Sequence, residues 1–384
     1  FKNPDTDDSQ WTDCKVPGDW SKAGKPENGV FWFRREIQIS ATEAGKPAFL
    51  NMGRIVDADS VFVNGHFVGN VTYQYPPRWY NVPADVLVEG RNVLVVRVVS
   101  NSGSGGFVPD KPYVLALPNR NISLEGTWKM KKGCEMPPLP GETFVRWKPM
   151  GLFNGMIAPM LKFNIKGAIW YQGESNTSNP EEYAKMFPAM IRNWRSEFRQ
   201  GDFPFLFVQL ANFMEAKTQP VESNWAETRE AQEAALALKN TAMAVTIDIG
   251  EWNDIHPLNK KDVGVRLALA ARKVAYGESK IRSAGPVFKS LKVKGNEMII
   301  TFKNAENGLK SGGEELHEFA VAGADAKFVW AKARIEGNKV IVSASEVQNP
   351  VSVRYAWADN PHRANLRNVE GLPAAPFRAT IKKK

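Results

Sequence analysis

The stretch IKGAIWYQGESNTSNPEEYAKMFPAMIRNWRSEF, residues 165–198, decides the fold class. Ile165 to Tyr171 is an apolar run of strand length. A polar turn follows, and then Tyr183, Phe187, Met190, Ile191, Trp194 and Phe198 recur mostly three or four residues apart, the spacing of one helical face. Asn179-Pro180 reads as a helix cap followed by a first-turn proline. Pro188 falls inside the pattern and is expected to kink the helix or reset its start. A strand that feeds a helix through a polar turn is the opening of a parallel α/β sheet.

Working outward, the alternation continues toward the C-terminus. Phe205 to Leu210 reads as a buried strand, Trp225 to Leu238 as a helix, Met243 to Asp248 as a strand and Lys261 to Tyr276 as a helix. Such an order predicts parallel strands with right-handed crossovers, and in such sheets chemistry collects at the carboxyl ends of the strands. Toward the N-terminus the pattern changes to short β-branched or alternating runs: Phe31 to Ile37, Ala48 to Met52, Ser60 to Val63 and Val93 to Val99. Turn pairs such as Asn64-Gly65 and Glu89-Gly90 separate them, which predicts a sandwich. After about residue 286 strands return, with candidates at Met298 to Phe302, Phe328 to Ala331, Lys339 to Ser343 and Val351 to Tyr355. The expected organisation is multidomain α/β: a β-sandwich over 1–115, a parallel α/β unit over 116–285 and a C-terminal β-domain over 286–384.

Composition narrows the function. Of 384 residues, 43% are hydrophobic and 24% charged, which excludes a wholly disordered chain. The formal charge of +9 raises nucleic acid as a partner, but the basic residues are scattered apart from Lys382-Lys383-Lys384, so no nucleic-acid partner is expected. No run of about 18 apolar residues occurs, so no membrane-spanning helix is expected. Cys14 and Cys134 can form one disulfide or remain two free thiols. No H-E-x-x-H, paired-cysteine, EF-hand, G-x-G-x-x-G or Walker pattern occurs, so neither a metal nor a nucleotide cofactor is predicted.

Two places that follow strands can carry chemistry. In Trp170-Tyr171-Gln172-Gly173-Glu174-Ser175-Asn176, Gly173 lets backbone N–H groups approach a ligand and Gln172 and Glu174 supply polar contacts, a setting for oxyanion stabilisation. The bland alternative is a polar turn capping the next helix. In Asp248 to Pro257, His256 lies among carboxylates, and a carboxylate can fix a histidine tautomer for general-base work. In an extended segment Asp254 and His256 would point to the same side; the alternative is a surface loop. His66, His317 and His362 lie in the β-regions and read as structural or surface residues. A base and an oxyanion site need a nucleophile, and no G-x-S-x-G elbow exists. Ser175 and Cys134 are the candidates on position alone.

At these residues the chain resembles bacterial sialate O-acetylesterases. The similarity runs through NGMIAP at 154–159, WYQGESN at 170–176, VQLANF at 208–213, TREAQ at 228–232, IHPLNKKDVGVRLALAA at 255–271, RYAWADNP at 354–361 and NLRNVEGLPAAPFR at 365–378. FWFRREI, DADSVFVNGHFVG and EGRNVLVVRV in the first part resemble the galactose-binding-like sandwich inserted in these enzymes, which is also similar to the sugar-binding sandwich of glycoside hydrolase family 2. The resemblance implies an SGNH-type esterase that removes acetyl groups from sugars, with an O-acetylated sialic acid or glycan as substrate and acetylated xylan as the alternative. A non-catalytic carbohydrate-binding protein is the reading from another class. His256 is then the base. Its acid partner is Asp254, or Glu174 by similarity to acetylxylan esterases; the general pattern D-x-x-H has Asn253 at its acidic position. Gln172, Gly173, Asn154 and Gly155 are implied oxyanion and substrate contacts, and Arg229 either binds an anionic sugar or lies on a helix surface. In the family the nucleophile lies in a G-Q-S-N-M block ahead of the sandwich. That block does not occur in these residues, so the α/β unit is expected to be incomplete at its N-terminus, with the serine upstream of Phe1. A periplasmic or secreted location is the family expectation.

Overall fold

A computed structural model describes residues 1–20, 28–101, 105–137, 139–140, 149–313 and 315–381. The lysines at 382–384 lie outside the described residues. The chain divides into two compact units, Phe1–Phe144 and Val145–Lys384.

The first unit is an antiparallel sandwich. One sheet runs in the order Thr12–Val16, Gly126–Glu135, Gly29–Ile39, Gly90–Ser100, Ala58–Val63, His66–Val71. The other runs Asn121–Ser123, Tyr113–Ala116, Ala48–Met52, Trp79–Val82. The alternation of Ala58–Val63 puts Val61 and Val63 inward, where they share a core with Phe33, Val96, Leu50 and Leu115. Asn64-Gly65 makes the hairpin to His66–Val71, with φ of 49° and 81°, the positive pair that a two-residue turn of this hand requires.

The expected boundary at residue 115 moves. Gly126–Glu135 pairs with both Thr12–Val16 and Gly29–Ile39, and Trp128 is 1% exposed in the sandwich core. Beyond Trp128 that strand turns an exposed, lysine-bearing face to solvent, so its sequence shows no apolar alternation. Cys14 and Cys134, on two adjacent strands, are free thiols; burial pushes the Cys14 thiol up to about 11.

The second unit holds the parallel sheet. Its strands Ala168–Trp170, Phe205–Val208 and Thr241–Ala244 lie side by side in sequence order. Helices α1 (Pro180–Phe198) and α2 (Asn224–Glu233) connect them, and α3 (Lys260–Val274) follows the last. Asn179 caps α1 by accepting the Glu182 backbone N–H, and the helix runs unbroken across Pro188, so its start is not reset. Each strand is shorter than its apolar run, because Tyr171, Gln209 and Val245 already turn into the loops. Helix α2 gives way to a tighter turn over Ala234–Ala237.

The C-terminal strands form a four-stranded sheet, Val287–Lys294, Glu297–Lys303, Lys339–Ser343, Lys332–Glu336, and a second one, Phe328–Trp330, Phe319–Ala322, Ser352–Tyr355, Phe377–Thr380. They are not a separately cored domain. Phe205, Phe207, Met243 and Ile247 of the α/β part belong to the same buried cluster as Met298, Ile300, Phe319, Val340 and Tyr355. A buried side chain of this size contributes about 1.5–3 kcal/mol, so the α/β part depends on the C-terminal strands for its own core.

Candidate active site

The site lies in the loops at the carboxyl ends of the parallel strands. The first loop leaves Ala168–Trp170. Gly173 has φ of 149°, a conformation that favours glycine, and a Cβ there would sit 3.1 Å from Gln232 Nε2. Its carbonyl accepts the Asn176 N–H at 2.9 Å and starts a short turn over Glu174–Asn176. The Gln172 side chain is engaged at both ends: its Nε2 donates to Asn176 Oδ1 at 2.6 Å and its Oε1 accepts from Tyr183 Oη at 3.2 Å. Gln172 therefore shapes the loop with most of its amide, keeping one N–H of its two.

Gln232 of α2 ties this loop to the next. It is fully buried, donates to Gln172 O at 3.1 Å and Val208 O at 3.3 Å, and accepts the Leu210 N–H at 2.9 Å. The second loop, after Phe205–Val208, also carries Gln209, whose Oε1 is buried without a hydrogen-bond partner.

The third loop leaves Thr241–Ala244. Thr246 Oγ1 donates to Gln209 O at 2.5 Å. Asp248 is clamped by Arg266 of α3 at 2.6 Å and by Arg367 at 2.7 Å. Burial alone would raise its pKa, but the two guanidinium groups outweigh that and hold its carboxyl below the usual range. Gly250 donates its N–H to Asn212 Oδ1 at 2.7 Å, and a Cβ at Gly250 would meet Asn212 O at 2.1 Å, so only glycine permits this approach of the two loops. Asn212 in turn donates to Asn360 Oδ1 at 2.9 Å.

Glu251 and Asp254 then close a tight turn rather than an extended segment. Asp254 is 2% exposed and its Oδ1 accepts the backbone N–H of His256 at 2.9 Å, while the His256 side chain is exposed. The two residues thus face different environments, contrary to the expectation of a shared side, because the turn breaks the two-residue period. Asp254 fixes the backbone of His256 through a short side-chain-to-backbone bond.

Lys260, the first residue of α3, brings the two motifs together. Its ammonium lies 4.8 Å from the centre of the Tyr171 ring, a cation–π distance. It sits in the field of Glu174 from the first loop and of Asp254 and Glu251 from the third; burial lowers its pKa and these three carboxylates oppose that. Burial pushes the Tyr171 hydroxyl up to about 12, with Glu174 adding to the shift. Sequence reading passed over Lys260 and Gln232. Both stood inside resembling motifs, but a lysine at a helix start and a glutamine near a helix end carry no signal of contact without the fold.

Other expected site residues are placed differently. Asn154 and Gly155 lie on an exposed helical turn, Phe153–Ile157, where the Asn154 N–H bonds Met150 O at 2.8 Å. Ser175 is exposed. Arg229 is neither a surface residue nor an anion receptor. It is fully buried and donates to the carbonyls of Leu210, Ala211, Ala358 and Asp359 at 2.6–2.9 Å. Among the described residues no cluster of three metal-ligating side chains occurs.

Residues 139–273, which hold both motifs, match the family described as carbohydrate esterase, sialic acid-specific acetylesterase. Residues 30–92 match the galactose-binding domain of β-galactosidase. The chain is similar to the sialate O-acetylesterase of Rattus norvegicus, with 32% identity over 66% of this chain and 53% of that one. It is also similar to the human sialate O-acetylesterase, with 28% identity over 60% of this chain and 49% of the other. It spans about half the length of these relatives. Among solved structures it is similar to a carbohydrate acetylesterase from Xanthomonas citri, with a TM-score of 0.58 and 29% identity over 88% of this chain and 96% of that one. The part of the chain that holds both motifs thus matches the sialic acid-specific acetylesterase family of carbohydrate esterases, and the chain is similar to sialate O-acetylesterases and to a carbohydrate acetylesterase.

Proposed function

We propose that this chain carries the base and its supporting loops for hydrolysis of O-acetyl groups on sialic acid, by an SGNH-type serine mechanism. The observation that carries the reading is the turn in which buried Asp254 binds the backbone of exposed His256, beside a loop whose Glu174 shares Lys260 with it. A serine hydroxyl attacks the acetyl carbonyl while His256 takes its proton; His256 returns the proton to the departing sugar oxygen. Water, deprotonated by His256 in turn, then attacks the acyl-enzyme and releases acetate.

Asp254 is the acid partner in this reading, since it is buried and already bonded to the His256 segment. Glu174 and Lys260 form the opposing wall and hold the loop charges in balance. Gln172 and the backbone around Gly173 face the acetyl oxygen, a role that requires N–H groups set in advance of reaction.

The test is acetate release from O-acetylated sialic acid and from acetylxylan, compared across variants. His256→Ala lowers the rate by about a hundred- to ten-thousandfold. Asp254→Asn loses about a hundredfold and Glu174→Gln less than about tenfold, as expected for a base with one acid partner. The reverse order of the two carboxylate variants would assign the acid role to Glu174. Retained activity in His256→Ala would overturn the proposal, and preference for acetylxylan would change its substrate.

A further inference from the structure

A second cleft in the Val145–Lys384 unit has a lining suited to a charged sugar. It is about 610 Å³, within the size range of small-molecule sites, and is formed by residues 216–218, 315–319, 330–332 and 362–363. None of the residues assigned above to the esterase site lines it. We infer that this cleft binds a sugar ring bearing a carboxylate.

The aromatic wall is Trp330. Its indole N–H donates to Thr218 O at 2.8 Å, which fixes one edge of the ring, yet the residue remains 37% exposed. An indole held by its edge with an open face presents an apolar platform to the C–H face of a pyranose. The pinned N–H also removes the ring's own polar group from competition for the ligand. Phe319, 1% exposed, lies under the same cleft and belongs to the core of the unit, so the floor is rigid.

The charge of the lining selects an anion. Lys217, Lys332 and Arg363 face Glu315 and Glu318, an excess of one positive charge before His317 and His362 are counted. Among the described residues, none of these three cations forms an ion pair with a carboxylate. Arg363 Nη2 lies 2.8 and 3.1 Å from the two ring nitrogens of His317, so one branch of the guanidinium is held against that ring. The remaining N–H groups keep the fork geometry that binds a carboxylate with two hydrogen bonds. Glu318 accepts the Arg363 backbone N–H at 3.4 Å; burial pushes its carboxyl up, and that bond and the charge of Arg363 oppose the shift. Glu315 and the two imidazoles can accept or donate to ring hydroxyls. An exposed aromatic face, a guanidinium with N–H groups to spare and hydroxyl partners together fit an acidic monosaccharide better than a neutral one.

The choice of a sugar, over another flat anion, rests on the carbohydrate-esterase reading; the cleft and its charge do not. Calorimetric titration of the protein with N-acetylneuraminic acid, with glucuronic acid and with N-acetylglucosamine separates the terms. Both acidic sugars bind, and the neutral one binds at least about tenfold more weakly. Trp330→Ala and Arg363→Gln each weaken acidic-sugar binding by about tenfold or more, while Trp330→Phe, which keeps a platform, loses less. His256→Ala binds as the parent does, which locates the sugar away from the esterase loops. Equal binding of the neutral sugar, undiminished binding by both cleft variants, or no binding of either acid overturns the inference. Acetate release from 4-nitrophenyl acetate, a small neutral ester, reports the esterase reading separately: it is unchanged in Trp330→Ala and falls in His256→Ala, and its retention in His256→Ala with sugar binding intact would break that reading alone.

Discussion

Two buried arginines, one in each unit, do similar work over very different chain distances. Arg78 of the sandwich bonds Asp59 at 2.6 Å and the carbonyls of Tyr73, Gln74, Pro76 and Asp57. All of these lie within 21 residues of it, so it organises its own loop. Arg229 of the second unit also satisfies four carbonyls, but two of them, Ala358 and Asp359, are 129 and 130 residues away. Among the described residues it bonds no carboxylate, and burial pushes its guanidinium pKa down against the pull of Asp359. The first arginine closes a local feature. The second welds the loop after a parallel strand to the C-terminal sheets, and the geometry around Gln209 to Asn212 depends on that weld.

The comparison breaks most visibly on truncation. Removing residues 286–384 from the protein takes away two acceptors of Arg229, the Arg367 partner of Asp248 and the Asn360 partner of Asn212. It also removes more than half of the buried cluster that covers Phe205 and Phe207. The truncated protein is expected to lose the cooperative thermal transition of its second unit while the sandwich transition persists. Two full transitions in calorimetry would show that the α/β part has a sufficient core of its own.

The arginines themselves give the next largest effects. Arg229→Met leaves the buried carbonyls of Leu210 and Ala358 without donors, while Ala211 O keeps the Trp225 indole N–H and Asp359 O keeps the Phe213 N–H, and it is expected to cost about 3–5 kcal/mol. Arg78→Met costs a similar amount, about 3–5 kcal/mol, because Asp59 is left buried beside Tyr80 with no counter-charge. The contrast appears in the second substitution. Asp59→Leu combined with Arg78→Met removes the stranded charge and recovers part of the loss, whereas no side-chain change restores the main-chain partners of Arg229. Denaturant unfolding of the double variant measures this; failure of Asp59→Leu to recover any stability would mean that the carbonyls, not the carboxylate, dominate at Arg78 as well.

How much of this was legible in the sequence follows from the range of the forces involved. The three parallel strands and three helices were readable because α1 keeps its 3.6-residue stripe and the strands are short apolar runs. The hairpin at Asn64-Gly65 was readable because its turn chemistry is local. The strand Gly126–Glu135 was not, since pairing on both edges holds it in the sheet while its lysines face outward. Arg229 looked like a surface or ligand residue because helix periodicity does not reveal what lies across a helix 130 residues later in the chain. At the site, His256, Asp254 and Glu174 stood out by chemistry after strands. Lys260, which joins them, became visible only when the fold brought Tyr171 against the start of α3. The opposite environments of Asp254 and His256 were hidden by the turn that Glu251 begins.

Two carboxyl groups of the second unit sharpen the comparison through pH. Asp248 is held below its ordinary value by Arg266 and Arg367, so it stabilises the fold above the unfolded-state value of about 4 and that contribution fades as pH falls through the lower folded value. Asp248→Asn therefore lowers stability at neutral pH and flattens the acid limb of the stability curve. Glu233, at the end of α2, has the opposite sign. Burial and the neighbouring Glu230 raise its pKa to about 7, with Lys303 opposing. The folded state then holds a proton that the unfolded state releases above about 4.3, so stability declines as pH rises from there to about 7 and is level beyond. Glu233→Gln removes this slope and makes the protein more stable than the parent at pH 8, by the smallest margin of the changes considered. Urea midpoints at pH 5 and pH 8 decide it: the parent's midpoint falls between the two and the variant's falls less. A parent and variant that fall equally would show that Glu233 is ionised in the fold, with the charge of Lys303 outweighing burial.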